Sequence, residues 1–181
     1  MKRYILTGAP GAGKTTILHD LQSRGYEIVA EAATDINARM IAQGIDKPWT
    51  MPHFISDIIQ LQKARLESKV HEDSTVQFHD RSIIDAYILG KFLGHGITAD
   101  VEVLVQAIIK NGVYQRMVFF IDSLGFIENT EVRRISLADA LEFGKLHEQI
   151  YSSFGFQCIK IPNQQVNDRT NEILRLVETQ S

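Results

Sequence analysis

The sequence predicts a three-layer α/β sandwich: a five-stranded parallel sheet with helices on both faces. Three observations predict it. Five short apolar runs, at residues 4–7, 27–30, 75–79, 117–122 and 157–161, have the length and composition of strands. Segments with helical spacing separate each from the next, and strands that alternate with helices build a parallel sheet covered on both sides. The chain has 181 residues, 44% of them hydrophobic, enough for one α/β domain with a full core and hardly for two. The expectation is therefore a single domain over residues 1–181.

Taken in order, the first strand leads into Gly8-Ala9-Pro10-Gly11-Ala12-Gly13-Lys14-Thr15, a complete G-x-x-x-x-G-K-[ST] spacing. Strand, loop and helix is the context in which that spacing binds phosphate. Glycines let successive N–H groups curl around an anion, and the following helix aims its positive end at the same point. A first helix is expected over 16–24, stopped by Gly25. After the second strand a helix over 33–43 ends at Gly44. The next stretch, residues 46–52, carries Pro48 and Pro52 and reads as a loop. A long helix follows over 53–70, with apolar positions at Phe54, Ile58, Leu61 and Leu66. The third strand precedes a helix over 82–93 that is closed by Gly94, and Thr98 caps another over 99–110. Beyond the fourth strand, Ser136 and Asp139 make a capping-box start for a helix to about residue 154. The fifth strand and a helix over 166–178 complete the chain. No internal repeat, low-complexity tract or linker interrupts it.

Composition narrows the partners. The net charge is −3 and there is no long basic run, so nucleic acid is not the expected partner. No apolar stretch reaches membrane-spanning length, and the N-terminus runs straight into a strand, so neither a membrane partner nor a secretory leader is expected. The single cysteine, Cys158, has no internal partner, in keeping with a reducing, cytoplasmic setting. It sits in an apolar run and reads as a packed strand residue rather than a nucleophile. The six histidines show no metal spacing, so zinc is not indicated, and His79 reads as a packed strand histidine.

In a parallel sheet, ligands belong at the carboxyl ends of the strands. The loop Gly8, Ala9, Pro10, Gly11, Ala12, Gly13, Lys14, Thr15 and Thr16 is the expected cradle for ATP or GTP. Lys14 is placed to neutralise the β/γ-phosphates and Thr15 to hold Mg²⁺. Glu31 follows the second strand, Asp80 and Arg81 the third, Asp122 and Ser123 the fourth, and Pro162 and Asn163 the fifth. Three of these five ends carry a carboxylate, which Mg²⁺ or a substrate hydroxyl accounts for. Asp80 supports Mg²⁺ or its water shell, or serves as general base; capping of the helix at Ser82 is the structural alternative. Hydrolytic motors usually place a glutamate after this aspartate. Here the neighbour is Arg81, which argues for transfer to a bound acceptor.

Glu31 holds an acceptor hydroxyl or replaces Asp80 as base, or else is a solvated loop acid. Arg81 binds a substrate phosphate or sugar, or pairs with Asp85 one turn later. Asp122 and Ser123 read as turn formers. Arg133 and Arg134 fall in a lid segment over 124–136, from which cations close over the charge that develops in phosphoryl transfer; a solvated pair is the alternative. Trp49, His53, Phe54, Gln60, Gln62 and Arg65 surround the long helix as acceptor-pocket candidates. Trp49, the only tryptophan, is preferred over Phe54, whose spacing suits the core. Gln62 and Arg65 share one helical face at a spacing of three.

These segments in order resemble a known family. They are residues 8–16, Arg24-Gly25-Tyr26, Glu31-Ala32-Ala33, Pro48-Trp49, Phe78-His79-Asp80-Arg81-Ser82 with Asp85-Ala86-Tyr87, Arg133-Arg134, and Leu146-His147-Glu148. The chain resembles, over nearly its whole length, the small AAA-domain family of predicted ATPases related to the ribosylnicotinamide kinase domain of NadR. That resemblance implies a P-loop NTPase fold with the kinase-like strand order 2-3-1-4-5, the Asp80 strand lying beside the phosphate-loop strand. It also implies that residues 162–169 pack near the adenine. Ser82 stands where the family more often has glycine and is similar to the Glu/Asp-Arg-Ser segment of deoxynucleoside kinases.

The expected activity is a Mg²⁺- and ATP- or GTP-dependent phosphotransferase that moves the γ-phosphoryl group to a small, nucleoside-like hydroxyl acceptor. The competing expectation is a nucleotide-dependent switch or partner-binding NTPase, slow in hydrolysis and without an acceptor site. Convergence of Glu31, Arg81 and Trp49 on one cavity beside the γ-phosphate separates the two. No residue pattern fixes the oligomeric state.

Overall fold

All five strands of the computed structural model, which describes residues 1–69, 71, 73–123 and 137–179, run parallel in one sheet. Their order is β2-β3-β1-β4-β5. The strands are β1 (Lys2–Thr7), β2 (Glu27–Val29), β3 (Val76–Asp80), β4 (Met117–Ile121) and β5 (Gln157–Ile161). The helices are α1 (Lys14–Ser23), α2 (Ala32–Ala42), α3 (Phe54–Leu66), α4 (Ile83–Phe92), α5 (Ala99–Lys110), α6 (Leu137–Ser153) and α7 (Val166–Glu178). The expected sheet, its strand order and its helical layers are all present.

Period-two alternation in the strands assigns side chains to the two layers. Tyr4, Leu6, Phe119 and Ile121 point to one side and pack with Ile17, Leu18 and Leu21 of α1 and Ile173 and Val177 of α7. Ile5, Val118 and Phe120 point to the other and meet the apolar faces of α2 through α6. A sheet buried on both faces needs near-continuous apolar strands, which is why β4 reads Met-Val-Phe-Phe-Ile with every residue buried.

Register fixes where chemistry can gather. Leu6 lies opposite Asp80 on one side, and Thr7 lies opposite Phe120 on the other. The phosphate loop therefore leaves the sheet between the ends of β3 and β4.

Several element ends differ from expectation for local reasons. The third strand runs one residue further than expected, so Asp80 closes the strand instead of following it. Helix α1 begins at Lys14, two residues early, because Gly13 already serves as its left-handed N-cap at φ 87. Helix α3 stops at Leu66 rather than 70. There the Ser68 N–H and hydroxyl both bond the Arg65 carbonyl, and such side-chain competition unwinds a last turn. The proline-bounded loop contains a short 3-10 turn, Pro48–Thr50. Ser136 of the expected capping box and the 124–136 segment with Arg133 and Arg134 lie outside the described residues. No helix among the described residues is long and apolar enough to cross a membrane.

Candidate active site

The phosphate loop sits at the carboxyl edge with no slack on its β4 side. A Cβ at Gly8 would stand 2.6 Å from the Ile121 carbonyl oxygen, so only glycine fits there. Lys14 is buried and bends back over its own loop, donating to the carbonyls of Ala9 at 2.9 Å and Gly8 at 3.3 Å. The Thr15 hydroxyl donates to Asp80 Oδ2 at 2.7 Å. Asp80 Oδ1 is buried with no protein partner. Burial, and next the Glu31 carboxylate, raises the Asp80 pKa, while Lys14 opposes the rise. A hydroxyl joined to a carboxylate with one orphaned oxygen suits a hard divalent cation that takes its remaining ligands from phosphate and water. Among the described residues there is no cluster of three metal-binding side chains, and a Mg²⁺ shared with phosphates needs none.

Next to this loop, Arg81 ties several neighbouring groups together. It is the one described non-glycine residue at positive φ, 64°. Its Nε donates to Glu31 Oε1 at 2.7 Å and its Nη2 to the Gly8 carbonyl at 3.0 Å. Nη1 lies 3.4 Å from Asp85 Oδ1 and 3.3 Å from His147 Nε2. The pairing with Asp85 is present, and Arg81 also lines the cavity described below. Glu31 is not a solvated loop acid. It is held by Arg81 and by the Thr34 hydroxyl at 2.6 Å.

Beneath Arg81 lies a polar hub that sequence did not reveal. Asp85 accepts from the Thr7 hydroxyl and the Tyr151 hydroxyl, each at 2.5 Å, and from the Ser82 N–H at 2.8 Å. Burial opposes its ionisation. Hydrogen bonding with His147 and the positive charge of Arg81 outweigh burial and hold the carboxyl well below the usual carboxylate range. Ser82, not Asp80, caps α4, in a capping box with Asp85. The structural alternative for Asp80 is thereby removed.

Glu31, Trp49 and Arg81 do converge. With Lys14 they line one cavity of about 390 Å³ between α2, α3, α4 and α6. Its polar wall adds Gln62, Ser82 and Asp85; its apolar wall is Phe54, Ile58, Leu89, Phe92 and Phe143. Phe54 is at once core and cavity lining. Gln62 is buried, accepts from the Ala32 N–H at 3.1 Å, and leaves its Nε2 without a partner. Arg65, on the same helical face, instead donates to the Ala30 carbonyl and pairs with Asp35. His53 and Gln60 are exposed and do not line the cavity. Thr16 is exposed in the first turn of α1. Sequence pointed to Asp139 only as a helix cap and to Phe143 not at all, because both reach the cavity from α6, distant in the chain from the other walls.

Elsewhere, His79 is buried within β3, edge-on to Tyr114, as a packed histidine. Cys158 is a half-buried strand residue, and burial raises its thiol pKa, away from nucleophilic thiolate. After β4, the Asp122 N–H bonds the Ile161 carbonyl at 3.0 Å, continuing the sheet ladder rather than forming a free turn.

A family described as "AAA domain" matches residues 3–169 of the chain. No curated protein sequence matches it. Among solved structures, deoxyadenosine kinase from M. mycoides with bound dCTP superposes with a TM-score of 0.68 at 17% identity, covering 98% of this chain and 99% of that one. The same enzyme with the products dCMP and a flexible dCDP gives a TM-score of 0.66 at 16% identity, covering 99% and 100%. NadR in complex with NAD and AMP-PNP gives 0.68 at 14% identity, covering 98% of this chain but 49% of that chain. At these identities the likeness is one of fold.

Proposed function

The chain belongs to the AAA-domain family, and from that premise we propose that it is a P-loop phosphotransferase which moves the γ-phosphoryl group of Mg·ATP or Mg·GTP to a small, nucleoside-like hydroxyl compound. One observation carries the reading: a cavity shared by Lys14, Glu31, Arg81 and Trp49 opens beside the phosphate loop. A switch or a slow NTPase has no need of such a cavity. The fold shared with a deoxyadenosine kinase and with a NadR that binds AMP-PNP supports the same class.

In this reading the loop amides of residues 8–16 and Lys14 hold the β/γ-phosphates. Thr15 and Asp80 would hold Mg²⁺, which would supply neutralisation of the phosphate charge. Lys14 exchanges its two carbonyl partners for phosphate oxygens. The acceptor lies between Trp49 and the carboxylate wall, its hydroxyl directed at the donor. Glu31 or Asp80 takes the hydroxyl proton, and Glu31 is oriented for it by Arg81. Arg81 keeps the Glu31 carboxylate in place and ties it to the Gly8 carbonyl. Arg133 and Arg134 supply cations to the transferring group from the 124–136 lid. A single domain over residues 1–181 and a cytoplasmic setting are part of the same proposal.

The test supplies γ-labelled ATP, Mg²⁺ and a pool of nucleosides and related hydroxyl metabolites. Label is expected in a new small molecule and absent with Lys14→Ala. Label recovered only as slowly formed inorganic phosphate would replace the kinase reading with the switch. In the same assay Arg133→Ala should lower kcat on the order of a hundredfold with little change in nucleotide affinity. An unchanged kcat removes Arg133 from the mechanism.

A further inference from the structure

On the face of the phosphate loop away from the acceptor cavity stands a buried cation with no assigned role. Arg169, in the first turns of α7, is among the largest fully buried side chains of the molecule. Its donors go to three main-chain carbonyls, each at the carboxyl edge of the sheet. Nη1 reaches Ala12 in the phosphate loop at 2.8 Å, Nε reaches Pro162 after β5 at 3.2 Å, and Nη2 reaches Asp122 after β4 at 3.4 Å. The Asp122 carboxylate acts on it electrostatically from nearby. A Cβ on Gly13 would lie 3.1 Å from Nη1, so the guanidinium leaves little room for a side chain on the residue that caps α1.

Two physical consequences follow. A trans peptide sets its C=O and N–H in opposite directions. Drawing the Ala12 carbonyl toward Arg169 therefore turns the Gly13 N–H away from α7, to the side where such a loop holds its anion. A desolvated charge also acts more strongly at short range than an exposed one. Burying a guanidinium is costly, and an apolar side chain would fill the same space without that cost. The adjoining anion site gives the charge a use.

We propose that Arg169 is a positioning residue of the nucleotide site, a cation behind the phosphate loop that strengthens polyphosphate binding by its charge and by its hold on the Ala12–Gly13 peptide, without touching the ligand. This rests on the reading that the loop binds nucleotide. The rival role is structural: Arg169 merely shapes the segment at Pro162.

Calorimetric titration with Mg·AMP-PNP and with Mg·tripolyphosphate, which has no base, separates the two. Four proteins are needed: wild type, Lys14→Ala, Arg169→Lys and Arg169→Gln, each checked for a cooperative thermal transition. Arg169→Gln keeps a donor and loses the charge; it is expected to weaken both ligands about tenfold. Arg169→Lys keeps the charge and is expected to stay within about threefold for both. Loss for Mg·AMP-PNP alone, or an equal loss in the folded Lys and Gln variants, overturns the proposal in favour of the structural role. Should the Gln variant fail to fold, the Lys variant decides on the same threefold limit, a larger loss overturning the proposal. Wild type that binds neither ligand, or Lys14→Ala that binds as wild type does, overturns the nucleotide reading itself, a failure distinct from one confined to Arg169.

Discussion

Arg81 shows how much a single backbone angle can hold. An L-residue at φ 64 carries about 1 kcal/mol of backbone strain, and here three sets of side-chain bonds offset it. Removing the side chain separates the two effects. Arg81→Gly and Arg81→Ala both lose the Glu31, Gly8 and Asp85 contacts, but glycine takes the left-handed angle freely. The glycine variant should be the more stable by about 1 kcal/mol in urea denaturation, and equal stabilities would mean that the strain is absent. His79 makes a pH-dependent contribution. Burial, and next the positive charge of Arg3, pulls its pKa from 6.5 down to about 3. Between those values the unfolded chain binds a proton that the folded chain refuses, so stability falls as pH drops through that window. His147, lowered by burial, adds a loss of the same sign below its ordinary value, and the depressed Asp85 adds a further loss below the usual carboxylate range. Denaturation at pH 7, 5 and 4 should show a smaller acid loss in His79→Gln than in wild type. Identical pH dependence would exclude His79 as a contributor. The placing of Lys14 and Thr15 at the sheet edge was legible because one short motif specifies four of its eight positions, Gly8, Gly13, Lys14 and Thr15. The Asp85 hub was not legible, since Thr7, His147 and Tyr151 reach it from elements far apart in sequence.

Among the elements, α4 is the clearest case of local chemistry setting a boundary. The Ser82 hydroxyl accepts from the N–H groups of Ile84 at 3.0 Å and Asp85 at 3.3 Å, and the Asp85 carboxylate returns to the Ser82 N–H. The same hydroxyl meets the Tyr151 hydroxyl of α6 at 2.8 Å. Ser82→Ala should therefore cost about 2 kcal/mol, the upper end for a cap, because it also breaks an inter-helix contact. A loss under half that in denaturant titration would show that Tyr151 needs only Asp85. Helix stops at Gly25, Gly44 and Gly94 were readable for the same local reason, each glycine adopting the positive φ that ends a helix. The early end of α3 was not readable. Apolar spacing continues to Leu66 and the polar residues beyond it remain compatible with a helix, whereas the Ser68 bond to the Arg65 carbonyl belongs to the folded geometry alone.

At the scale of the molecule the two faces of the sheet divide the work. Helices α1 and α7 back the phosphate loop, and Arg169 joins them to it. Helices α2 through α6 cover the opposite face, and four of them wall the cavity. Strand alternation made the layers legible, but which strands are neighbours is a non-local fact, and it came from the family resemblance rather than from any periodicity. The cavity itself was legible only as candidate residues. Its far wall, Phe92 and Phe143, depends on how α4 and α6 lean together over the sheet, bringing those rings to 4.8 Å. That wall has a thermal consequence. A ligand that slides its ring against Trp49, Phe54 and Phe143 removes carbon surface from solvent, and such removal lowers the heat capacity of the complex. Titrating whichever hydroxyl compound takes the label in the transfer assay, between 10 and 35 °C, should give a binding enthalpy that grows steadily more favourable with temperature, and a flat line would mean that the ring never enters.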